Sequence, residues 1–342
     1  MRRLLLILIL AIPLSAQQPP QSDTAIVDPD GTTRVTRIVP LPGVLSDEAK
    51  KYLSRPYSDS EKPASKEDNR AHAHAWQDQL AKDMQQMYPA KVENGTIAGV
   101  PVKFITPAFI APEKKDRILI NVHGGGFQAD WGSCAETIPV ASLTKTKVVA
   151  ILYRLSPENP FPAAVNDTVA VYKELLKTHR PDQMALYGTS AGAILTGEVA
   201  VKLKQLGLPE PAALGIFSGN GDMNDFGDSI AIYGLHGLSG SIEPPGTKHG
   251  ADYVGTTDPK DPVLSPIYAD LKGLPPTLFL TSTRDLLLSG TVRLHKAFLH
   301  AGVSAELVVW DALPHAFWNE FKMPESIEAH HMMADFFDRH LK

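Results

Sequence analysis

Met184-Ala185-Leu186-Tyr187-Gly188-Thr189-Ser190-Ala191-Gly192 is the stretch from which the rest of the chain can be read. An apolar run enters Gly-x-Ser-x-Gly and continues into helix-forming sequence. Between a strand and a helix this pattern is a sharp turn: the serine takes a strained backbone conformation, and glycine on either side lets strand and helix pass closely. The turn lifts the Ser190 hydroxyl clear of a sheet. The helix beginning there aims free N–H groups and its positive dipole end at the same spot. Alone the pattern is a modest signal, but Ile194, Leu195, Val199, Leu203 and Leu206 follow at helical spacing, with Gly207 as a stop. Ser190 is therefore the candidate nucleophile.

Working outward, residues 102–105, 117–122, 147–152, 213–217, 277–281 and 305–310 read as further strands, and 166–177, 289–301 and 325–341 as helices. Strands alternating with helices predict an α/β fold with a mostly parallel sheet covered on both faces. Residues 17–90 are expected to form an extended lead-in followed by helices. In the helical part, from 46 to 88, Ser65 to Asp68 resembles a capping box, and Trp76, Leu80, Met84 and Met87 share one face. These helices are expected to cap the catalytic domain, 91–342. A Gly/Pro/Asp-rich insertion over 219–266 is expected to contribute to the cap or to a pocket.

The chain has 342 residues, 43% of them hydrophobic, which suits one large domain with some extra structure. A net charge of −5 is scattered along it, so no basic stripe points to nucleic acid and no cationic helix to a membrane surface. A small molecule is the expected partner; a homodimer is left open. Residues 1–16 read as a secretory signal: Arg2 and Arg3, an apolar run from Leu4 to Ile12, Pro13, then Ser15-Ala16 before Gln17. The mature chain is expected to begin near Gln17, in the periplasm or outside the cell, with no stable membrane insertion after cleavage. Cys134 is the sole cysteine, which excludes an intrachain disulfide and reads as a structural thiol. His72 and His74 lie two apart on a helix and cannot chelate together, and His330 and His331 are read as solvated or partly packed. No dinucleotide fingerprint or P-loop is present, so neither a metal nor a nucleotide or flavin cofactor is expected.

A serine hydroxyl needs a base to take its proton and an acid to hold that base in the right tautomer. His315 follows the last strand on a loop and is the base of choice. Asp285 follows the strand before it and is the acid, with Asp311 and the group Asp222, Asp225 and Asp228 as rivals. His123-Gly124-Gly125-Gly126 follows a buried strand. The N–H groups of Gly124 and Gly125, with that of Ala191, are candidates to hold a developing oxyanion, and His123 is expected to fix the loop. Phe127 and Trp318 are candidate walls of a substrate pocket.

The His123 to Gly126 run, Tyr153-Arg154-Leu155-Ser156-Pro157-Glu158, Phe161-Pro162-Ala163-Ala164, Gly188 to Gly192, Asp261-Pro262-Val263-Leu264-Ser265-Pro266 and Leu313-Pro314-His315 together resemble the hormone-sensitive lipase family of α/β-hydrolases. Thr189 is similar to the branch with Thr rather than Asp before the nucleophile. Leu286 departs from the Pro that many members carry after the acid, and the first 90 residues resemble nothing in the family. The resemblance implies a serine carboxylesterase acting on short acyl esters, with Ser190, Asp285 and His315 as its triad. An exported deacetylase of polysaccharide or small-molecule esters is the alternative with the same chemistry. A non-catalytic ligand-binding protein on this fold is the alternative from another class.

Overall fold

The computed structural model describes residues 23–55, 65–239, 242 and 247–342, so the leader expected at 1–16 lies outside the described residues. Two units are present, Met1–Pro42 and Gly43–Lys342. In the first, β1 (Thr24–Val27) and β2 (Thr33–Thr36) pair antiparallel with Thr24 opposite Thr36, both strands fully exposed. An extended lead-in was expected there. The hairpin forms because Asp28-Pro29-Asp30-Gly31 has turn chemistry, with Gly31 N–H donating to Asp28 O at 2.9 Å, between two β-prone tetrads.

The second unit begins with α1 (Asp47–Leu53) and α2 (Lys66–Met87). Ser65 caps α2 by accepting from Asp68 N–H at 3.0 Å. Its own hydroxyl donates to the Asp68 carboxylate at 2.9 Å, which differs from a capping box, where the acid reaches back to the cap N–H. The chain continues through β3 (Ala90–Ile97), β4 (Val100–Pro107), β5 (Ile118–Val122), α3 (Thr137–Thr144), β6 (Lys147–Ile151), α4 (Ala163–Leu175), β7 (Met184–Thr189), α5 (Ala191–Gln205) and β8 (Ala213–Phe217). Two single-turn helices, α6 (Ser229–Ile232) and α7 (Ala251–Val254), punctuate the insertion, before β9 (Thr277–Ser282), α8 (Leu288–His300), β10 (Ala305–Trp310) and α9 (Pro324–His340). Among the described residues no helix is long and apolar enough to cross a membrane.

Strand order in the sheet is β10-β9-β8-β7-β5-β6-β4-β3, parallel from β10 to β6, with β4 antiparallel to β6 and β3 antiparallel to β4. Side chains alternate between two cores. Ile118, Ile120 and Val122 of β5, with Met184 and Leu186 of β7, face α4, α5 and α8, whereas Leu119, Ala185 and Tyr187 face α3 and α9. Each such fully buried aliphatic or aromatic side chain contributes about 2 kcal/mol relative to exposure. Register brings Val122 level with Gly188 and Thr189 level with Phe217, and Ser282 level with Trp310, so these carboxyl ends form one rim.

β3 and α3 were also not expected from sequence. β3 is an edge strand whose half-exposed residues include Asn94-Gly95, poor strand formers; pairing with β4 through the left-handed Ala98-Gly99 turn creates it. α3 carries Pro139 and several β-branched residues and is buried nearly all round, so it has no amphipathic period to read.

Candidate active site

Ser190 stands between β7 and α5 at φ +60, ψ −123, a conformation non-glycine residues rarely adopt. Its N–H donates to Phe217 O at 2.9 Å, which ties the turn to the neighbouring strand. A Cβ on either Gly188 or Gly192 would collide with Val122 O, so β5 can pass directly beneath the turn only because both are glycine. α5 opens with no side-chain cap, which leaves the N–H groups of Ala191 and its neighbours without intrahelical acceptors. It closes as a Schellman motif: Gly207 takes φ +62, and Leu208 N–H donates back to Leu203 O at 3.0 Å.

Asp285, fully buried three residues beyond β9, accepts from His315 Nδ1 at 2.8 Å and from Leu287 N–H at 2.9 Å on one carboxylate oxygen. Thr281 Oγ1 donates to the other at 2.8 Å. Burial pushes this carboxyl up, but the His315 ring, the Ser218 hydroxyl and the Leu287 N–H outweigh it and hold the group below the ordinary Asp value. Asp311 instead accepts from Thr283 at an exposed position, and Asp222 is taken up by Arg293 and Tyr268. The structure thus pairs His315 with Asp285 and with neither rival. The His315 loop is fastened by Ser282 Oγ donating to Leu313 O at 2.6 Å, and it reaches β7 through Trp318 Nε1, 3.3 Å from Thr189 Oγ1.

The Gly124–Gly126 loop lies against the same turn: a Cβ on Gly124 would stand 3.3 Å from Ser190 Cβ. Gly125 takes φ +112, and a side chain there would run into Ala129 O. His123 stacks on Tyr153 at 4.2 Å, with Tyr153 OH donating to His123 O at 2.7 Å, the fixing role expected of it. The loop is also held from α2. Gln77 donates to Asp130 Oδ1 at 3.1 Å and accepts from Cys134 N–H at 3.0 Å, and Arg70 donates to Gln128 O at 2.8 Å. Cys134 is enclosed beneath α2, and burial pushes its thiol above the usual value.

Phe127 and Trp318, the candidate pocket walls, are both enclosed by protein. Phe127 is 3% exposed and stacked on Tyr253; Trp318 is 0% exposed and packs edge-on against Phe217 and Phe317 in the α9-side core. His330 departs from expectation: it is wholly buried against Tyr88, and burial drives its pKa down to about 3, so it is neutral rather than solvated. The insertion bears on the site from above the rim. Gly237 approaches Arg284 and Pro314, and Tyr253 donates to Glu198 of α5 while stacking on Phe127. It borders a cavity of about 860 Å³ lined by Met223, Phe226, Ile230, His249 and Val254 among others; Ser190, Asp285 and His315 do not line it.

Glu198 makes stability depend on pH. Burial pushes its carboxyl well above 4.5, against the lowering influence of the Tyr253 bond. The folded state therefore holds a proton that the unfolded state releases above about pH 4.5, and stability falls as pH rises from there. Each unit of that window removes about 1.4 kcal/mol for a fully protonated group. Glu198→Gln is expected to flatten the decline of the thermal midpoint between about pH 5 and pH 8; superimposable pH profiles for wild type and variant would contradict this.

Residues 119–319 match the family described as alpha/beta hydrolase fold. An acetyl-hydrolase from Streptomyces hygroscopicus is 31% identical, over 67% of this chain and 78% of that protein. The crystal structure of an esterase, E25, is similar with TM-score 0.79 and 32% identity, covering 90% of this chain and 98% of that one. A second, an esterase from the bacterial hormone-sensitive lipase family, gives TM-score 0.72 and 28% identity over 87% and 99% of the two chains.

Proposed function

Since the chain belongs to the hormone-sensitive lipase family of α/β-hydrolases and is a carboxylic ester hydrolase, we propose that it is a serine esterase of short-chain acyl esters working through Ser190, His315 and Asp285. The observation that carries this reading is the 2.8 Å pair between Asp285 and His315 Nδ1, on the same rim as a serine at φ +60. Asp285 holds the proton on Nδ1, which leaves Nε2 as the base. In acylation, Ser190 Oγ bonds to the ester carbonyl carbon and its proton passes to His315. The N–H groups of Gly124, Gly125 and Ala191 stabilise the resulting oxyanion. Collapse breaks the carbon–oxygen bond to the alcohol, which leaves with the proton from His315. Water, deprotonated by the same imidazole, then releases the acid and restores Ser190.

Acetyl esters are the first substrates to try, given the similarity to an acetyl-hydrolase. The leader read at 1–16 adds the proposal that the enzyme is periplasmic or secreted. One experiment addresses both. The exported fraction is treated with a fluorophosphonate, mapped by mass spectrometry, and assayed on nitrophenyl esters from acetate to palmitate. Expected are a label on Ser190, a mature N-terminus near Gln17 and turnover peaking at short acyl chains. A Ser190 left unlabelled overturns the mechanism, and a peak at palmitate overturns the substrate class.

A further inference from the structure

We propose that Glu136 is a positioning residue of this site, holding the oxyanion loop against the nucleophile turn through contacts with Asn121, the 124–132 loop and Thr189. The inference rests on the reading of Ser190 as nucleophile given above. The donors invoked there belong to two separate backbone segments, Gly124–Gly125 and Ala191, and their convergence depends on what lies between them. Glu136, 3% exposed at the start of α3, lies there. Asn121 Nδ2, two residues before His123, donates to Glu136 Oε2 at 3.0 Å. A Cβ on Gly132 would run into the Glu136 carboxyl while standing 3.0 Å from Gly124 N, and one on Gly124 would stand 3.6 Å from Oε1. On the other side is Thr189, whose carbonyl oxygen stands 3.0 Å from the same Gly124 Cβ position and whose polar groups lower the pKa of the Glu136 carboxyl.

Thr189 has a further partner that fixes its direction. Trp318 Nε1, three residues beyond His315, donates to Thr189 Oγ1 at 3.3 Å, so the Thr189 hydroxyl proton is free to turn towards Glu136. The line Trp318, Thr189, Glu136, Asn121 therefore joins the loop of the base, the strand of the nucleophile and the loop of the oxyanion donors. It also gives a reason for Thr rather than Asp before the nucleophile: an aspartate at 189 would set a second carboxyl beside a buried one. Burial pushes the Glu136 carboxyl up to about 8, with Asn121 and Thr189 lowering it and Asp130 raising it, so the neutral acid is the form present near pH 7. Glutamine reproduces its shape and its lack of charge.

The test compares Glu136→Ala, Glu136→Gln and Thr189→Val with wild type on nitrophenyl butyrate, with kcat expressed per site labelled by a fluorophosphonate. Glu136→Ala is expected to lower kcat about 100-fold with little change in KM, the size of effect seen when one oxyanion donor is lost. Glu136→Gln is expected to stay within about threefold of wild type, and Thr189→Val to lower kcat about tenfold at unchanged KM. If Glu136→Ala does not fold, Thr189→Val decides alone. Unchanged kcat in Thr189→Val, or an effect of Glu136→Ala on KM alone, overturns the inference while leaving Ser190 as nucleophile. Failure of wild type to label at Ser190 overturns the functional reading itself, a result distinct from either.

Discussion

Ser190→Ala is expected to lower kcat on nitrophenyl acetate by about 10⁶-fold, to the residual rate that binding and the oxyanion donors alone sustain. The size of the loss follows from the turn. Ser190 Oγ caps nothing in α5, so its removal costs the helix no hydrogen bond, and the φ +60 backbone is held by Gly188, Gly192 and the bond to Phe217 O rather than by the side chain. The variant should fold with a thermal midpoint close to that of wild type, which separates lost chemistry from lost structure. Steady-state assays with circular dichroism melts on both proteins check this. Turnover above about one-hundredth of wild type in a folded variant would remove Ser190 from the mechanism.

Asp285→Asn is expected to lower kcat by about 10⁴-fold with KM little changed. One carboxylate oxygen accepts from both His315 and Leu287, and the other from Thr281, in a site with no exposed surface. A carboxamide keeps the volume and part of the bonding, but it removes the charge facing the imidazolium that the proposed proton transfer from Ser190 would form. In a dry pocket that charge is worth far more than in water. Asp311→Asn is the control: its exposed bond to Thr283 predicts a change of less than about twofold. If the two variants exchanged these effects, the acid would be Asp311 and the Asp285–His315 pair would be structural.

Legibility in the sequence followed the clarity of the local pattern rather than burial, since β10 is mostly half-buried or exposed and was read, while α3 is enclosed and was not. Ala213–Phe217 and Ala305–Trp310 have the bounds their apolar runs predict, and Met184–Thr189 is marked by the turn that ends it. β3 and α3 are invisible for opposite reasons: one is too polar to stand without β4, the other too uniformly enclosed to show a helical period. The placement of Ser190, Asp285 and His315 just after β7, β9 and β10 was legible because a parallel sheet delivers successive loops to one rim, so chain order constrains position. Phe127 and Trp318 are enclosed in the fold, which adjacency to a site in sequence could not show, because it does not say which way an aromatic ring turns. Nothing in the run Gly132-Ser133-Cys134-Ala135-Glu136 marks Glu136 as buried; only the fold brings Asn121 and Thr189 to it.

The enclosure of Cys134 beneath Gln77 makes the molecule a convenient chassis for spectroscopy. A thiol kept protonated and shut away from solvent stays silent towards maleimides and nitroxide reagents. A reporter cysteine introduced on the insertion could therefore be derivatised selectively, and movements of that segment during turnover followed by fluorescence or spin resonance with no background from the native residue.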